Sequence, residues 1–383
     1  LILVRALPFH GLGGMETSTW DLARALVRRG CAVRLLTTAC AGRGDGVIEG
    51  VDTRFLAAPA GAYSPAWSRE SVRAYEDQAG WADVVLSVSA AGFALAAHLA
   101  GRRPRPALVM QAHGTSWLEL TSKLQSANPI HWLKAIANLR GLVWDRAYRH
   151  FDAVIAIGPA VSADMARWPT RALIGGASVH EISNGVDEAF FAFSQPARDR
   201  VRAALGIGAE DAVMVTTARL HAQKGVAQAL AAFAEVQRRI PAAHHVIVGD
   251  GPERVVLQDR ARALGVASRV HFIGAVGRAE VAAHLSAGDV FVFTTLRQEG
   301  LPLNLLEAFA AGLPAVLSAH INAAHYPAVS VDHQDARDVA GAIVGLLQAP
   351  RQARASTLPR RHSLAVAAAE YERTFRTLAA AGR

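Results

Sequence analysis

Short apolar runs alternate with segments of helical period along the whole chain. In the first half the runs Leu1–Ala6, Ala32–Thr37, Val84–Val88, Leu108–Gln111 and Ala153–Ile157 predict strands. In the second half Ala212–Thr217, His244–Val248, Val270–Ile273, Val290–Thr294 and Ala315–Ser318 do the same. Because these runs are apolar throughout, they suit strands buried on both faces, as in a parallel sheet covered by helices. The intervening segments fit: "ETSTWDLARALVRRG" (Glu16–Arg29, with Gly30 as its stop) and "GVAQALAAFAEVQRRIP" both have helical period. The series breaks at the turn-rich stretch 181–196, "EISNGVDEAFFAFSQP", and then restarts. The pattern therefore predicts an α/β protein of two doubly wound, Rossmann-like domains, residues 1–187 and 188–362, followed by a helical segment 363–383. Two such domains imply a crevice between them at the carboxyl ends of both sets of strands, where sheets of this type bind ligands.

Within this frame the stretch 297–316, "RQEGLPLNLLEAFAAGLPAV", stands out. Pro302 suits the opening of a helix, where a missing N–H costs nothing, and Gly312 with Pro314 suits its end. Glu299 then falls in the loop before the helix and Glu307 inside it. Leu303, Leu306, Phe309 and Ala310 crowd one side, so Glu307 must emerge at the edge of the apolar face or meet a polar partner.

Composition changes this picture little. A chain of 383 residues, 51% of them hydrophobic, is long enough for two cores. The net charge of +8 divides evenly, with 19 basic and 15 acidic residues up to position 187 and 21 against 17 after it. No basic block or nucleic-acid motif accompanies it, so nucleic acid is not an expected partner. Only three of the 40 basic residues are lysines, Lys123, Lys134 and Lys224. Cys31 and Cys40 lack metal-ligand spacing and read as small buried residues in a reducing compartment. The start "LILVRALPFHG" reads as a strand, not a leader, and the Val84–Ala97 run falls short of the ~18 residues of a membrane span. A cytoplasmic, non-integral protein is expected.

Candidate chemistry gathers after predicted strands. In "HGLGGMET" (10–17), Gly11, Gly13 and Gly14 let backbone amides approach an anion at a helix N-terminus. A nicotinamide-dinucleotide site would want glycine at position 16 and an acidic residue closing the second strand, but Glu16 and Thr37-Thr38 stand there. In "TTARLHAQKGV" (216–226), Arg219 and Lys224 leave the equivalent loop of the second domain and suit a diphosphate. His113, in "MQAHGTSW", lies just past a strand. The segment 117–150 mixes Trp117, Trp132 and Trp144 with five basic residues, a composition suited to an anionic membrane surface or to a solvated helix with packed tryptophans.

Together, Gly-Gly-x-Glu at 13–16, "AHGT", "SNGVD", "ARLHAQKG", "VGDGPE" (248–253), "VHFIGAV" (270–276) and the Glu-x7-Glu of Glu299 and Glu307 resemble the retaining nucleotide-sugar glycosyltransferases of the GT-B fold, family 4. The resemblance spans nearly the whole chain. It implies that Glu307 binds the donor ribose, that Glu299 contacts the donor sugar, and that amides around Gly300, Leu301, Pro302 and Leu303 reach sugar and diphosphate. Arg219 and Lys224 would neutralise the leaving diphosphate. Gly13 and Gly14 would close on it from the other, acceptor-side domain, Gly251 would contact the donor, and the backbone near Phe272–Gly274, at Phe272 and Ile273, would hold the base. His113 would be a positioning residue near donor and acceptor. The final helix would cross back to the first domain. The implied reaction moves a sugar from a UDP- or GDP-sugar to a hydroxyl of a glycan or lipid-linked acceptor, in cell-envelope polysaccharide synthesis, with possible peripheral membrane contact through 117–150. No Asp-x-Asp pair occurs, so no metal or other cofactor is expected.

After "GLPAVLS" the family's Gly-Gly-x-x-Glu loop is replaced by "AHINAAHYPAVSVDHQDARDV", leaving His320, Asn322 and His325 without a role. Two other readings stay open on these residues: a catalytically silent glycosyltransferase-like subunit, and a nucleotide-sugar epimerase on the same fold.

Overall fold

The computed structural model describes residues 1–383 except 12, 79, 119, 121–144, 297–301, 322–325, 350–352 and 382–383. The chain divides into two compact units, Leu1–Gly185 with Leu364–Arg383, and Val186–Ser363.

Unit one is built on an eight-stranded sheet. Its strands are β1 (Ile2–Leu3), β2 (Arg34–Thr38), β3 (Gly46–Ile48), β4 (Val51–Leu56), β5 (Val84–Val88), β6 (Ala107–Ala112), β7 (Ala153–Ala156) and β8 (Ser178–Glu181). Their order is β3-β4-β2-β1-β5-β6-β7-β8, parallel except where β3 pairs antiparallel with β4 at the edge. The order reverses at β1, whose Ile2 pairs with Leu35 on one side and Leu86 on the other. Helices α1 (Gly14–Arg28), α2 (Pro65–Glu76) and α3 (Phe93–Leu99) follow the strands. The α2 start is built from local chemistry, since Ser64 Oγ accepts the Trp67 amide at 3.1 Å and Pro65 fills the first position. One face of the sheet buries Leu108, Met110, Trp67 and Leu95, and the other buries Ile2, Leu86, Val109 and Trp20. The terminal helix, Leu364–Ala381, lays Leu364, Ala367, Ala368 and Tyr371 on the second of these faces.

Unit two has six parallel strands: β9 (Val213–Thr217), β10 (His244–Val248), β11 (Val270–Gly274), β12 (Val290–Phe293), β13 (Ala315–Ser318) and β14 (Ala328–Val331). Their order is β11-β10-β9-β12-β13-β14, so the switch point lies between β9 and β12. Two large cores of this unit flank the sheet, with Phe291, Phe293 and Phe309 on one side and Phe233, Val292 and Ile343 on the other.

Each apolar run of the sequence is a strand here, although β1 keeps only Ile2 and Leu3. The strands without an apolar run, β3, β4, β8 and β14, lie at sheet edges or next to them, where polar side chains meet water. The expectation of buried cysteines is corrected: β2 starts only at Arg34, and Cys31 and Cys40, which lie outside it, are both half-buried free thiols. Among the described residues no helix is long and apolar enough to cross a membrane.

Candidate functional site

In unit two, three segments converge at the carboxyl ends of β9 and β12. The first is the loop 218–225, which leaves β9 and is fixed by its backbone. Ala218 N donates to Val248 O and Leu220 N to Asp250 O, while Gln223 O accepts from Leu296 N at 2.9 Å. Thr295 Oγ1 also donates to Gln223 O, and Thr294 Oγ1 to Gly225 O at 2.8 Å. Gly225 has φ +67°, and a Cβ there would run into the Thr294 carbonyl. Only glycine lets this loop lie so close to the end of β12. The loop delivers Arg219, which is exposed and whose guanidinium makes no hydrogen bond or ion pair among the described residues. It also delivers Lys224, with Nζ 5.7 Å from the centre of the Phe293 ring at the end of β12.

The second segment is the helix Leu303–Ala310, with Pro302 as its N-cap. Leu305, Leu306, Ala308, Phe309 and Ala310 are fully buried, so this helix is held inside the unit on more than one side. Asn304 Nδ2 donates to Thr217 O at 2.6 Å, fastening the helix N-terminus to the last residue of β9. Glu307, one turn further on, is half-buried. An N-terminus held at the switch point presents unbonded amides and a positive dipole end there.

The third segment follows β10. Gly249 has φ +136°, and a Cβ there would collide with the Ala218 carbonyl. Gly251 N donates to its neighbour Asp250 Oδ1 at 2.7 Å, and Asp250 pairs with Arg254 at 3.1 Å. Around β11, the Phe272 carbonyl accepts from Arg254 Nη2 and the Gly274 carbonyl from Gly249 N, while Ile273 packs on the core.

In unit one, the glycine loop follows β1. His10 fixes its approach: Leu7 N donates to Nδ1 at 3.1 Å, so Nε2 holds the proton that meets Thr38 O at 3.0 Å. Gly13 is the N-cap of α1 and Gly14 its first residue, and the Glu16 carboxylate folds back to where a Gly13 side chain would lie. His113 follows β6, with Nε2 3.0 Å from Gln111 Oε1. Burial of the ring lowers its pKa to about 4, so it is neutral at pH 7. Two residues beyond it, Thr115 bonds Asp164, and the Ser116 amide and hydroxyl donate to Asp145 at 3.0 and 3.1 Å.

Asp145 leads into the turn Arg146–His150. That turn, α2 and α3 line an open cavity of about 820 Å³ with an apolar bed of Trp67, Phe93, Ala94 and Ala97 and a rim bearing Arg69, Arg146 and Arg149.

The predicted residues thus fall in two sets. Arg219, Lys224, Gly251, Phe272, Ile273, Pro302, Leu303 and Glu307 belong to unit two, and Gly13, Gly14 and His113 to unit one. Glu299, Gly300 and Leu301 lie outside the described residues, as do Asn322, His325 and residues 119 and 121–144 of the tryptophan-bearing segment. His320 lies past β13 with its ring edge-on to His333 at 5.2 Å. Sequence reading missed Asn304 and Gln111. Asn304 had a signal, a polar residue three positions before Glu307 in an apolar helix, and so did Gln111, an amide inside an apolar strand. Among the described residues no three His, Cys, Asp or Glu side chains gather as metal ligands would.

Comparisons with known proteins bear on this geometry. The family described as Glycosyltransferase Family 4 matches residues 12–190, and that described as Glycosyl transferases group 1 matches residues 197–355. A GDP-mannose-dependent alpha-(1-6)-phosphatidylinositol monomannoside mannosyltransferase from Mycolicibacterium smegmatis is 34% identical over 197 residues, covering 49% of this chain and 51% of the relative. The chain thus matches about half the length of that curated relative. Among solved structures, sucrose-phosphate synthase from Thermosynechococcus elongatus superposes with TM-score 0.76 at 21% identity, covering 99% of this chain and 96% of that one. HepE from Anabaena, in complex with UDP, gives TM-score 0.71 at 20% identity over 98% and 99%. At such identities these structures speak to the fold alone. With one family model on each unit, the chain belongs to the GT-B glycosyltransferases of family 4 and group 1.

Proposed function

We propose that this chain transfers a sugar, with retention of anomeric configuration, from a UDP- or GDP-sugar to a hydroxyl of a glycan or lipid-linked acceptor. The observation that supports it most is the convergence in unit two, where a cation-bearing loop, a helix N-terminus and a half-buried glutamate share the switch point between β9 and β12. In this reading Glu307 grips the ribose diol and Glu299 contacts the donor sugar. Arg219, Lys224 and the amides at 300–303 face the diphosphate, Gly251 contacts the donor, and the backbone at Phe272 and Ile273 holds the base.

As the bond from the anomeric carbon to the diphosphate breaks, negative charge builds on the departing phosphate. Cations and amides fixed beforehand gain more with that charge than with the bound donor, which is what lowers the barrier. Because the loop bearing Arg219 and Lys224 is stitched to β12 by its backbone, it does not have to reorganise at that moment. Gly13, Gly14 and neutral His113 act from unit one.

The acceptor reading draws on two supports. The mycobacterial relative acts, by its name, on a phosphatidylinositol monomannoside. The arginine-rimmed cavity in unit one suits a molecule with an apolar portion and an anionic group. Peripheral membrane contact through 117–150 belongs to the same reading.

Thermal-shift titration with UDP, GDP, ADP and their sugars tests the donor. One nucleotide series should raise the melting temperature by linkage, and no response to any of them sinks the proposal. NMR of the product's anomeric proton then reads retention.

A further inference from the structure

Strand β6 is buried along its whole length, and its side chains alternate between two cores. Leu108 and Met110 enter the core of Trp67 and Leu95, whereas Val109 enters the core that holds Tyr371 of the terminal helix. Gln111 shares the face of Val109 and is 2% exposed. An amide in such a place must have its bonds satisfied from within. Its Nε2 donates to Tyr371 Oη at 2.6 Å, and its Oε1 lies 3.0 Å from His113 Nε2. Tyr371 itself is 2% exposed and joins β6 from a segment 260 residues away in sequence.

We propose that Tyr371 and Gln111 are positioning residues for sugar transfer, a relay that sets the tautomer and ring orientation of His113. The inference rests on the reading of His113 as part of the transfer site. Its logic is the polarity of an amide, which offers a donor at one end and an acceptor at the other. With the NH2 group spent on the tyrosine oxygen, the carbonyl end faces the imidazole, so Nε2 must hold the ring's one proton. Nδ1 is then an acceptor and makes no hydrogen bond among the described residues. A ring in this state donates from Nε2 to Gln111, accepts at Nδ1 a hydrogen bond from a substrate hydroxyl, and has no N–H left to donate to that substrate. The opposite arrangement, with the amide turned over, needs Tyr371 to donate its hydroxyl proton and moves the histidine proton to Nδ1. The two are distinct chemical species at the site, and the bond from Gln111 Nε2 to Tyr371 Oη corresponds to the first.

Burial keeps the ring neutral, which the selection requires, since an imidazolium has a proton on both nitrogens and no tautomer to choose.

The test is long-range 1H–15N correlation of the full chain labelled at histidine, at pH 7, with the His113 signals identified by their loss in His113→Asn. The wild type should show the Nε2–H pattern, and Gln111→Leu and Tyr371→Phe should each shift it toward a mixture or toward Nδ1–H. An Nδ1–H pattern in the wild type, or a wild-type pattern retained in both variants, overturns the relay. Should Gln111→Leu not fold, Tyr371→Phe alone decides, because it removes one hydroxyl and leaves the ring. In transfer assays Tyr371→Phe should lower kcat by about tenfold with nucleotide affinity unchanged, the split expected of misplaced acid–base chemistry. An unchanged kcat overturns the role in transfer. If the wild type transfers sugar from no donor, the glycosyltransferase reading fails, while the tautomer result still stands or falls by itself.

Discussion

The two units hold their candidate residues by different means. In unit two the loop 218–225 is pressed backbone to backbone against its neighbours, with Gly225 and Gly249 at positive φ and no room for a Cβ beside the Thr294 and Ala218 carbonyls. In unit one the corresponding control is exercised by side chains: Tyr371 holds Gln111, which holds His113. Backbone clamping fixes where a side chain starts and leaves its charged end free to change rotamer. A side-chain relay fixes something finer, the hydrogen-bond polarity of one ring, and can be altered one functional group at a time. Damage to the first should therefore cost fold, and damage to the second should cost chemistry.

The largest effect that would sharpen this contrast is expected from Gly249→Val. A branched side chain at φ +136° meets the Ala218 carbonyl, and a loss of about 4 kcal/mol in unfolding free energy, or failure to fold, is expected. Urea denaturation measures it, and a near-neutral result would break the backbone side of the comparison. Next in size is Glu307→Ala, which removes a half-buried side chain and not a packing element. It should leave the melting temperature within a few degrees and lower kcat/KM by about 100-fold, about 3 kcal/mol of transition-state stabilisation. Asn304→Ala, which frees the helix N-terminus from Thr217, should cost about 1–2 kcal/mol of stability and weaken nucleotide binding with it.

The last effect is one of pH. His245 is fully buried in the sheet of unit two; its Nε2 meets Thr216 Oγ1 at 3.0 Å, and Thr216 donates in turn to Val292 O. Burial first, and His271 second, lower its pKa from 6.5 to about 3. The unfolded chain therefore takes up this proton below pH 6.5 while the folded chain does not, so stability is fully present above pH 6.5 and falls as pH drops toward 3. The slope assigned to this residue is about 1.4 kcal/mol per pH unit. Denaturant titrations of His245→Gln at pH 6.5, 5.5 and 4.5 should show a slope shallower than wild type by about that amount.

Much of the fold was legible because hydrophobicity alone determines a strand buried on both faces. Val84–Val88, His244–Val248 and Ala315–Ser318 coincide with the strands residue for residue. Edge strands were not legible, since β4, "VDTRFL", alternates polar and apolar residues and β8, "SVHE", is largely exposed. At the site, Arg219, Lys224 and Glu307 could be singled out because charges beside apolar runs are conspicuous. Asn304 and Gln111 act through partners far away in sequence, Thr217 and Tyr371, and no local pattern reports such a partner. The cavity beside α3 was illegible for the same reason, being assembled from three separated segments.

The terminal helix belongs to unit one, yet all of unit two lies between it and Gly185 in the chain. During synthesis, then, the strands of unit one are made before unit two, and the helix that completes the cover of Ile2, Leu86 and Val109, beside Trp20 and Leu22 of α1, is made after it. Until Leu364–Ala381 docks, Gln111 has no tyrosine to bond, so the setting of His113 depends on a segment made more than 250 residues later.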